Sequence, residues 1–527
     1  MNGMPRLYRT ESATCYRATL PLLAVWLCVV LFLAAHHVFW RDEMRAMTLA
    51  LRGENVLAML RGIHGEGHPA VWYLLLRGAH AAVPRPEVLE GVSLAVAVAA
   101  MILLVLRAPF GALLVALILF SRFGLFEYSV MARNYGISML LLFALAACYA
   151  RNRTNGLLLG SLLFLLANCS AHSVLLAAAF LLFWLLDIAE SEPGPARSQA
   201  YRTFAFNAGI AAAGAAICLL TLYPAANDDG WPQRPPGWPL AMLLTGLFVP
   251  AHHLSHLLPL SWPHTALVQS LMSLAMFGST FGLARRRAAL AASLAALLGL
   301  SLFFALVYPG SYRHEALWLV FLMSMYWIAG TGDAADRSTG GVAPISPPHP
   351  MAGAGSLLFA FLLLLQLPGG LEAVANASHG IPESRSRDLG TLVATHPELH
   401  DAVIIADPDY LVEPLPYYIS NRTYLMRQQR FGNVVTFTKN ARLSLNLDDV
   451  LIDARRLHLR TRDPVIILLQ QRLNPSLPAQ HYREGYDWEF VVTPQQVRAF
   501  QAATKLVRSF APAVSDESYD VYLYPRS

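Results

Sequence analysis

Two adjacent carboxylates, Asp42 and Glu43, follow directly on a long apolar run ending Phe39-Trp40. Charges held against a membrane are expensive unless solvated or paired, so the pair marks either a helix cap or a site. An Asp is ionised at neutral pH and can take the proton of an attacking hydroxyl, whereas as a cap Asp42 would accept from the first amides of a helix starting near Glu43. The same loop closes on His64-Gly65-Glu66-Gly67-His68-Pro69 before Ala70-Val71-Trp72-Tyr73. Two histidines four apart share a helix face, but Gly65, Gly67 and Pro69 oppose a regular helix, and the order differs from the His-Glu-x-x-His of zinc proteases. No metal or other cofactor is therefore expected, a divalent metal being the lesser alternative, and Glu66 and His68 stand as candidate substrate contacts.

Cations occupy two comparable positions, Arg133 and Tyr135 in Glu127-Tyr128-Ser129-Val130-Met131-Ala132-Arg133-Asn134-Tyr135, and Arg313 and His314 in Tyr308-Pro309-Gly310-Ser311-Tyr312-Arg313-His314. Arginine is permanently charged and binds phosphate through a bidentate fork. The simpler alternatives are that Arg133 snorkels to the interface and that His314 caps a helix.

The elements that must position these groups follow from composition. The chain has 527 residues, of which 55% are hydrophobic and only 14% charged, with a mean hydropathy of +0.44. Soluble domains carry about 25% charged residues. Disorder, fibrous repeats and a purely cytosolic enzyme are excluded. The net charge of +5 is scattered, with no Lys/Arg block interleaved with aromatics, so nucleic acid is not an expected partner. The five cysteines, Cys15, Cys28, Cys148, Cys169 and Cys218, read as small buried hydrophobes.

A helix crosses the hydrocarbon core in about 20 mostly apolar residues. Runs of that kind lie at 18–40, 88–106, 109–125, 129–150, 156–170, 172–188, 203–223, 265–284, 288–308, 314–330 and 353–369. Arg6, Arg9 and Arg17 before the first, and Arg107, Arg151, Arg153, Arg197 and Arg202 in alternate loops, place those segments in the cytoplasm. Residues 41–87 are too charged to span and read as helices lying at the outer surface. Residues 240–264, with His252, His253, His256 and His264, read as a re-entrant or surface helix, because a crossing there would put Arg285, Arg286 and Arg287 outside. Eleven crossings result, with residues 370–527 on the outer side. That tail alternates strand-like runs (Ala402 to Ala406, Val465 to Leu469, Tyr519 to Tyr524) with helical stretches such as Gln495 to Phe510. The expected architecture is a multispanning α-helical membrane core, residues 1–369, followed by a C-terminal soluble α/β domain, residues 370–527.

The Asp-Glu pair after the first span, the loop closing in His68-Pro69, the Ala132-Arg133-Asn134-Tyr135 stretch and the Tyr312-Arg313-His314 stretch resemble, in order and sidedness, polyprenyl-phosphate-dependent glycosyltransferases of the GT-C superfold. That group includes protein O-mannosyltransferases and lipid A aminoarabinose transferases. The resemblance implies a bacterial inner-membrane enzyme that moves a hexosyl or pentosyl group from a polyprenyl-phosphate donor to a lipid, glycan or protein acceptor on the periplasmic side. The residue types suit such a reaction: Asp42 as base, Glu43 as alternative base or positioning group, Arg133 and Arg313 helped by Tyr135 and His314 on the phosphate, and Glu66 and His68 as donor or acceptor contacts. Ala70 stands where relatives often have a second Pro, and Glu66 is not part of the best-known mannosyltransferase pattern. The competing readings are a secondary transporter, opposed by the lack of visible repeats and of charged pairs deep within spans, and a non-catalytic envelope assembly or sensor protein.

Overall fold

The computed structural model describes residues 13–191, 194–223, 239–254, 266–338, 350–484 and 487–525. Its first half is helical: α1 (Ala13–His36), α2 (Arg41–Ala50), α3 (Val56–Gly62), α4 (Ala70–Ala82), α5 (Val88–Arg107), α6 (Ala112–Leu119), α7 (Tyr135–Asn152), α8 (Leu158–Ala167), α9 (Ala171–Ser191) and α10 (Gly194–Leu222). There follow α11 (Pro239–Phe248), α12 (Ala266–Thr280), α13 (Arg287–Leu306), α14 (Tyr312–Ser338), α15 (Pro350–Leu364) and α16 (Leu367–Ser378).

Among the described residues, eight segments are long and apolar enough to cross a membrane: Ala18–His36, Val88–Arg107, Tyr135–Asn152, Ala171–Ser191, Ala196–Leu222, Ala266–Leu283, Arg287–Leu306 and Met351–Ser378. Three of the eleven expected crossings do not appear in that form. Residues 109–125 hold only the eight-residue α6, and residues 156–170 the ten-residue α8. α14 has the length, 27 residues, but opens on Tyr312-Arg313-His314-Glu315 and is less apolar. The run at 109–125 ends because the backbone passes into a π-type turn over Phe123–Glu127. Gly124 is required there, since a Cβ would lie 2.3 Å from the Ile118 carbonyl oxygen. The Gly124 carbonyl accepts from Trp26 Nε1 (2.9 Å) and Ser129 Oγ (2.7 Å), which ties the turn to α1. The re-entrant segment expected at 240–264 contains the ten-residue α11; His256 and His264 lie outside the described residues. Cys169 and Cys218 are buried as expected, but Cys28 is exposed with Val25, Leu31 and Phe32, on a flank of α1 that the other helices leave uncovered. The side chain of Cys15 lies outside the description.

α16 carries the helical core past residue 369 to Ser378. The C-terminal α/β region then adds α17 (Ser386–Thr395), α18 (Leu447–Thr461) and α19 (Pro494–Ala503), with strands β1 (Val403–Asp407), β2 (Tyr424–Leu425), β3 (Arg430–Phe431), β4 (Ser444–Asn446), β5 (Val465–Leu469), β6 (Gln480–Arg483), β7 (Glu489–Val492), β8 (Lys505–Phe510) and β9 (Tyr519–Tyr524). The main sheet runs β1-β5-β9-β8; β1 and β5 are parallel, with Val403 opposite Val465, and β9 is antiparallel to both neighbours. Ile404, Ala406, Ile466 and Leu468 enter one core, while Val403, Ile405, Val465 and Ile467 enter the other. Burial on both faces is why β1 and β5 read as continuous apolar runs. The helix expected from Gln495 to Phe510 stops at Ala503; Lys505 to Phe510 instead pair with β9, whose ladder hydrogen bonds replace a further helical turn.

Candidate functional site

α2 begins at Arg41, and Glu43, not Asp42, closes its first turn. The Glu43 carboxylate accepts from the Trp40 amide (3.1 Å), from the Ala132 amide (2.6 Å) and from His37 Nε2 (2.9 and 3.0 Å), and it is fully buried. This pins the start of α2 to the loop carrying Arg133. Asp42, one residue earlier on the helix, points elsewhere. Its Oδ2 lies 2.5 Å from Arg133 Nη1, and its side chain keeps 34% of its surface. Burial would raise its pKa, but the charges of Arg133, Arg41 and Arg313 outweigh that and hold the carboxyl well below the usual range.

Arg133 is bonded on its other side to His68, Nη2 to Nε2 at 3.0 Å. A guanidinium only donates, so Nε2 accepts and the His68 proton sits on Nδ1. Burial, then Arg133, push its pKa down to about 3, leaving a neutral ring. The Arg133 guanidinium also lies 5.8 Å from the centre of the Tyr135 ring, whose hydroxyl shares a hydrogen bond with His314 Nε2 (2.7 Å); His314 Nδ1 is 2.9 Å from Ser311 Oγ. Arg313 sits 4.9 Å over the Trp40 ring and 3.6 Å from Glu127. The Tyr128 hydroxyl donates to the Arg313 carbonyl (2.6 Å).

Four helices, α4 after His68-Pro69, α7 after Arg133, α9 after Ser170 and α14 after Ser311, begin beside this cluster. A helix N-terminus carries about half a positive charge, so the ends add to the guanidinium field.

The structure thus brings Asp42, His68, Arg133, Tyr135, Arg313 and His314 together and places Glu43 behind them. Glu66 stands apart: it pairs with Arg45 (Nε 2.9 Å, Nη2 2.5 Å). Arg45, one helical turn after Asp42, also reaches Glu413 and the Val435 carbonyl (2.8 Å) in the C-terminal α/β region. Arg41 behaves alike: its amide donates to Glu517 (2.9 Å), its guanidinium binds Asp516 (3.1 Å from Nη2) and stacks 4.3 Å over Tyr410. Phe39 donates its amide to Tyr418 Oη (3.1 Å) and accepts from Ser386 Oγ (3.1 Å), and Arg387 donates to the His37 carbonyl (2.6 Å). Arg41 and Arg45 flank Asp42 at positions −1 and +3 and were available to a closer reading of the helix; nothing in sequence links them to acids some 370 to 475 residues on. His172, stacked on His314, was also missed. Among the described residues no three His, Cys, Asp or Glu side chains are grouped to hold a metal.

Fold and site together give, among the described residues, a helical core with eight segments long and apolar enough to cross a membrane, a charged cluster at its end, and an α/β region packed against α2 beside that cluster. No family model matches the sequence, and no curated protein does. Among solved structures it is similar to the arabinofuranosyltransferase AftD from Mycobacteria, at 14% identity and a TM-score of 0.40, over 99% of this chain and 41% of that one. The chain therefore spans less than half of that protein's length.

Proposed function

We propose that the chain is a membrane glycosyltransferase moving a hexosyl or pentosyl group from a polyprenyl-phosphate donor to a hydroxyl of an envelope lipid, glycan or protein, at the periplasmic face of the bacterial inner membrane. The observation that carries the reading is one carboxylate, Asp42, set against Arg133 and Arg313 where four helix N-termini meet.

Asp42 takes the acceptor proton as the acceptor oxygen bonds to the anomeric carbon, and the carbon–oxygen bond to phosphate breaks on the opposite face. One displacement inverts the anomeric centre. The phosphate needs no acid, because Arg133 and Arg313 receive its charge. A general base works best when its pKa lies near the working pH, and Asp42 alone lies far below it. A bound phosphate draws Arg133 and Arg313 onto its oxygens, weakens their hold on Asp42 and raises its proton affinity. The base therefore strengthens when the donor arrives. His68 steadies Arg133, and the Tyr135-His314-Ser311 chain supports the other side; Glu43 is a positioning group and Glu66 acts through Arg45.

Glycolipid and envelope-polymer mass spectra of a deletion strain test the reading. Loss of a glycosylated species, restored by the wild-type gene and not by an Asp42→Asn gene, is expected. Unchanged spectra on deletion, or full restoration by Asp42→Asn, would overturn it.

A further inference from the structure

We infer that His172 reads a hydroxyl of the donor sugar, so that the group transferred is a neutral hydroxylated ring seated between His172 and the phosphate held by Arg133 and Arg313. The inference rests on the proposed function and deepens it.

His172 is the second residue of α9 and is 6% exposed, yet Nδ1 and Nε2 are both buried without a hydrogen-bond partner. Native interiors satisfy the great majority of such atoms, and one left over calls for a ligand or a role. The surroundings narrow the choice. The His172 ring stacks on His314 with centroids 4.4 Å apart and planes at 27°, and its flanks are Phe303 and Phe304 at 5.2 and 5.5 Å. His314 has both nitrogens engaged, by Tyr135 and Ser311, and His68 gives Nε2 to Arg133. Of these three imidazoles, His172 is the one with both nitrogens uncommitted.

The two arginines answer the charge of a phosphate, which leaves the uncommitted imidazole, stacked on the His314 beside them, for the uncharged part of the same donor. A neutral imidazole offers one donor and one acceptor, the same complement as a hydroxyl group. Tyr308, exposed and meeting His314 edge-on at 5.8 Å, and the half-buried Phe303 supply apolar faces for the C–H side of a sugar ring. A carboxylated sugar would add a second negative charge where neither nitrogen of His172 carries a fixed positive one.

The test uses the full-length chain in lipid nanodiscs, with polyprenyl-phosphate arabinose, polyprenyl-phosphate mannose and the monodeoxy analogues of whichever is transferred. His172→Phe, which keeps the ring volume and removes both nitrogens, is expected to lower kcat/KM on the parent donor by roughly 10- to 100-fold. His172→Asn should recover part of that, having one donor and one acceptor to offer. On one monodeoxy donor the wild type should show the same loss and His172→Phe no further loss, a non-additivity that a purely structural role does not produce. Transfer by His172→Phe within twofold of wild type, or a uniform loss on every analogue, overturns the inference. Asp42→Asn runs in parallel: if it is inactive while His172→Phe is unaffected, only this inference falls. If Asp42→Asn still transfers sugar, or the wild type transfers sugar from no polyprenyl-phosphate hexose or pentose, the functional reading falls with it.

Discussion

At the scale of the residue, two neighbouring carboxylates have taken opposite jobs. Glu43 is buried and accepts from His37, Trp40 and Ala132; Asp42 faces two arginines and keeps access to solvent. Substitution should separate them. Asp42→Asn is expected to lower transfer by on the order of 10²- to 10⁴-fold, the range of a lost general base, through kcat. Glu43→Gln places an amide NH2 against an N–H donor and should destabilise by about 1–3 kcal/mol, the cost of a buried group left unmatched. Thermal unfolding and sugar transfer, measured on both variants, check the contrast; a full-strength Asp42→Asn enzyme, or a Glu43→Gln protein as stable as wild type, would contradict it. The grouping of Asp42, Arg133 and Arg313 was legible because charge is scarce in this chain and each such residue sits at the end of an apolar run. His172 was not legible, since nothing in Ala171-His172-Ser173-Val174 separates a ligand-facing histidine from a packed one.

At the scale of the element, α2 carries Asp42 and is held in place by the elements around it. It is ten residues long, too short to be stable alone, and it is bound at its start by Glu43 and along its length by Arg41 and Arg45. Arg45 bridges Glu66, Glu413 and the Val435 carbonyl with one planar fork. Lysine keeps the charge but has a single nitrogen, and cannot span the three. Arg45→Lys is therefore expected to lower kcat by about tenfold with KM changed by less than about threefold, since a small misplacement of a reacting group is costly. Steady-state kinetics on the purified variant decide this, and an unchanged kcat would dismiss the clamp. Elements were unevenly readable. β1 and β5 showed themselves as apolar runs because both their faces are covered, whereas the runs at 109–125 and 156–170 looked like crossings because hydropathy counts apolar residues and does not see where a π turn or a short loop breaks the helix.

At the scale of the whole molecule, the α/β domain packs against α2 beside the charged cluster and brings buried acids with it. Burial raises Glu413 to about 7 and Glu517 to about 8, from an ordinary 4.5, against the pull of Arg45 and Arg41 respectively. Asp409, in the same domain, is raised by burial to about 7. Folded carboxyls with raised pKa hold more protons than the unfolded chain, so their stabilisation is full below the unfolded value and is lost as pH rises through 7 and 8. His68 works the other way: depressed from 6.5 to about 3, it makes the unfolded chain the better proton binder below 6.5, so stability falls on acidification in that range. Asp42, lowered from 3.8, changes stability only in stronger acid. Above about 4.5 three carboxyls lose stabilisation while a single imidazole gains it, so these groups together place the optimum near the ordinary carboxylate range, about 4 to 4.5. Stability should fall by on the order of 3 kcal/mol between about pH 6.5 and about pH 8.5. The double variant Glu413→Gln with Glu517→Gln removes two of the titrating groups and should flatten that upper limb while leaving the acid limb in place. Thermal unfolding of the full-length protein in nanodiscs, followed by tryptophan fluorescence at both pH values, measures it. A wild-type midpoint that rises toward alkaline pH, or a double variant with the wild-type slope, would show that the domain is not docked through these acids.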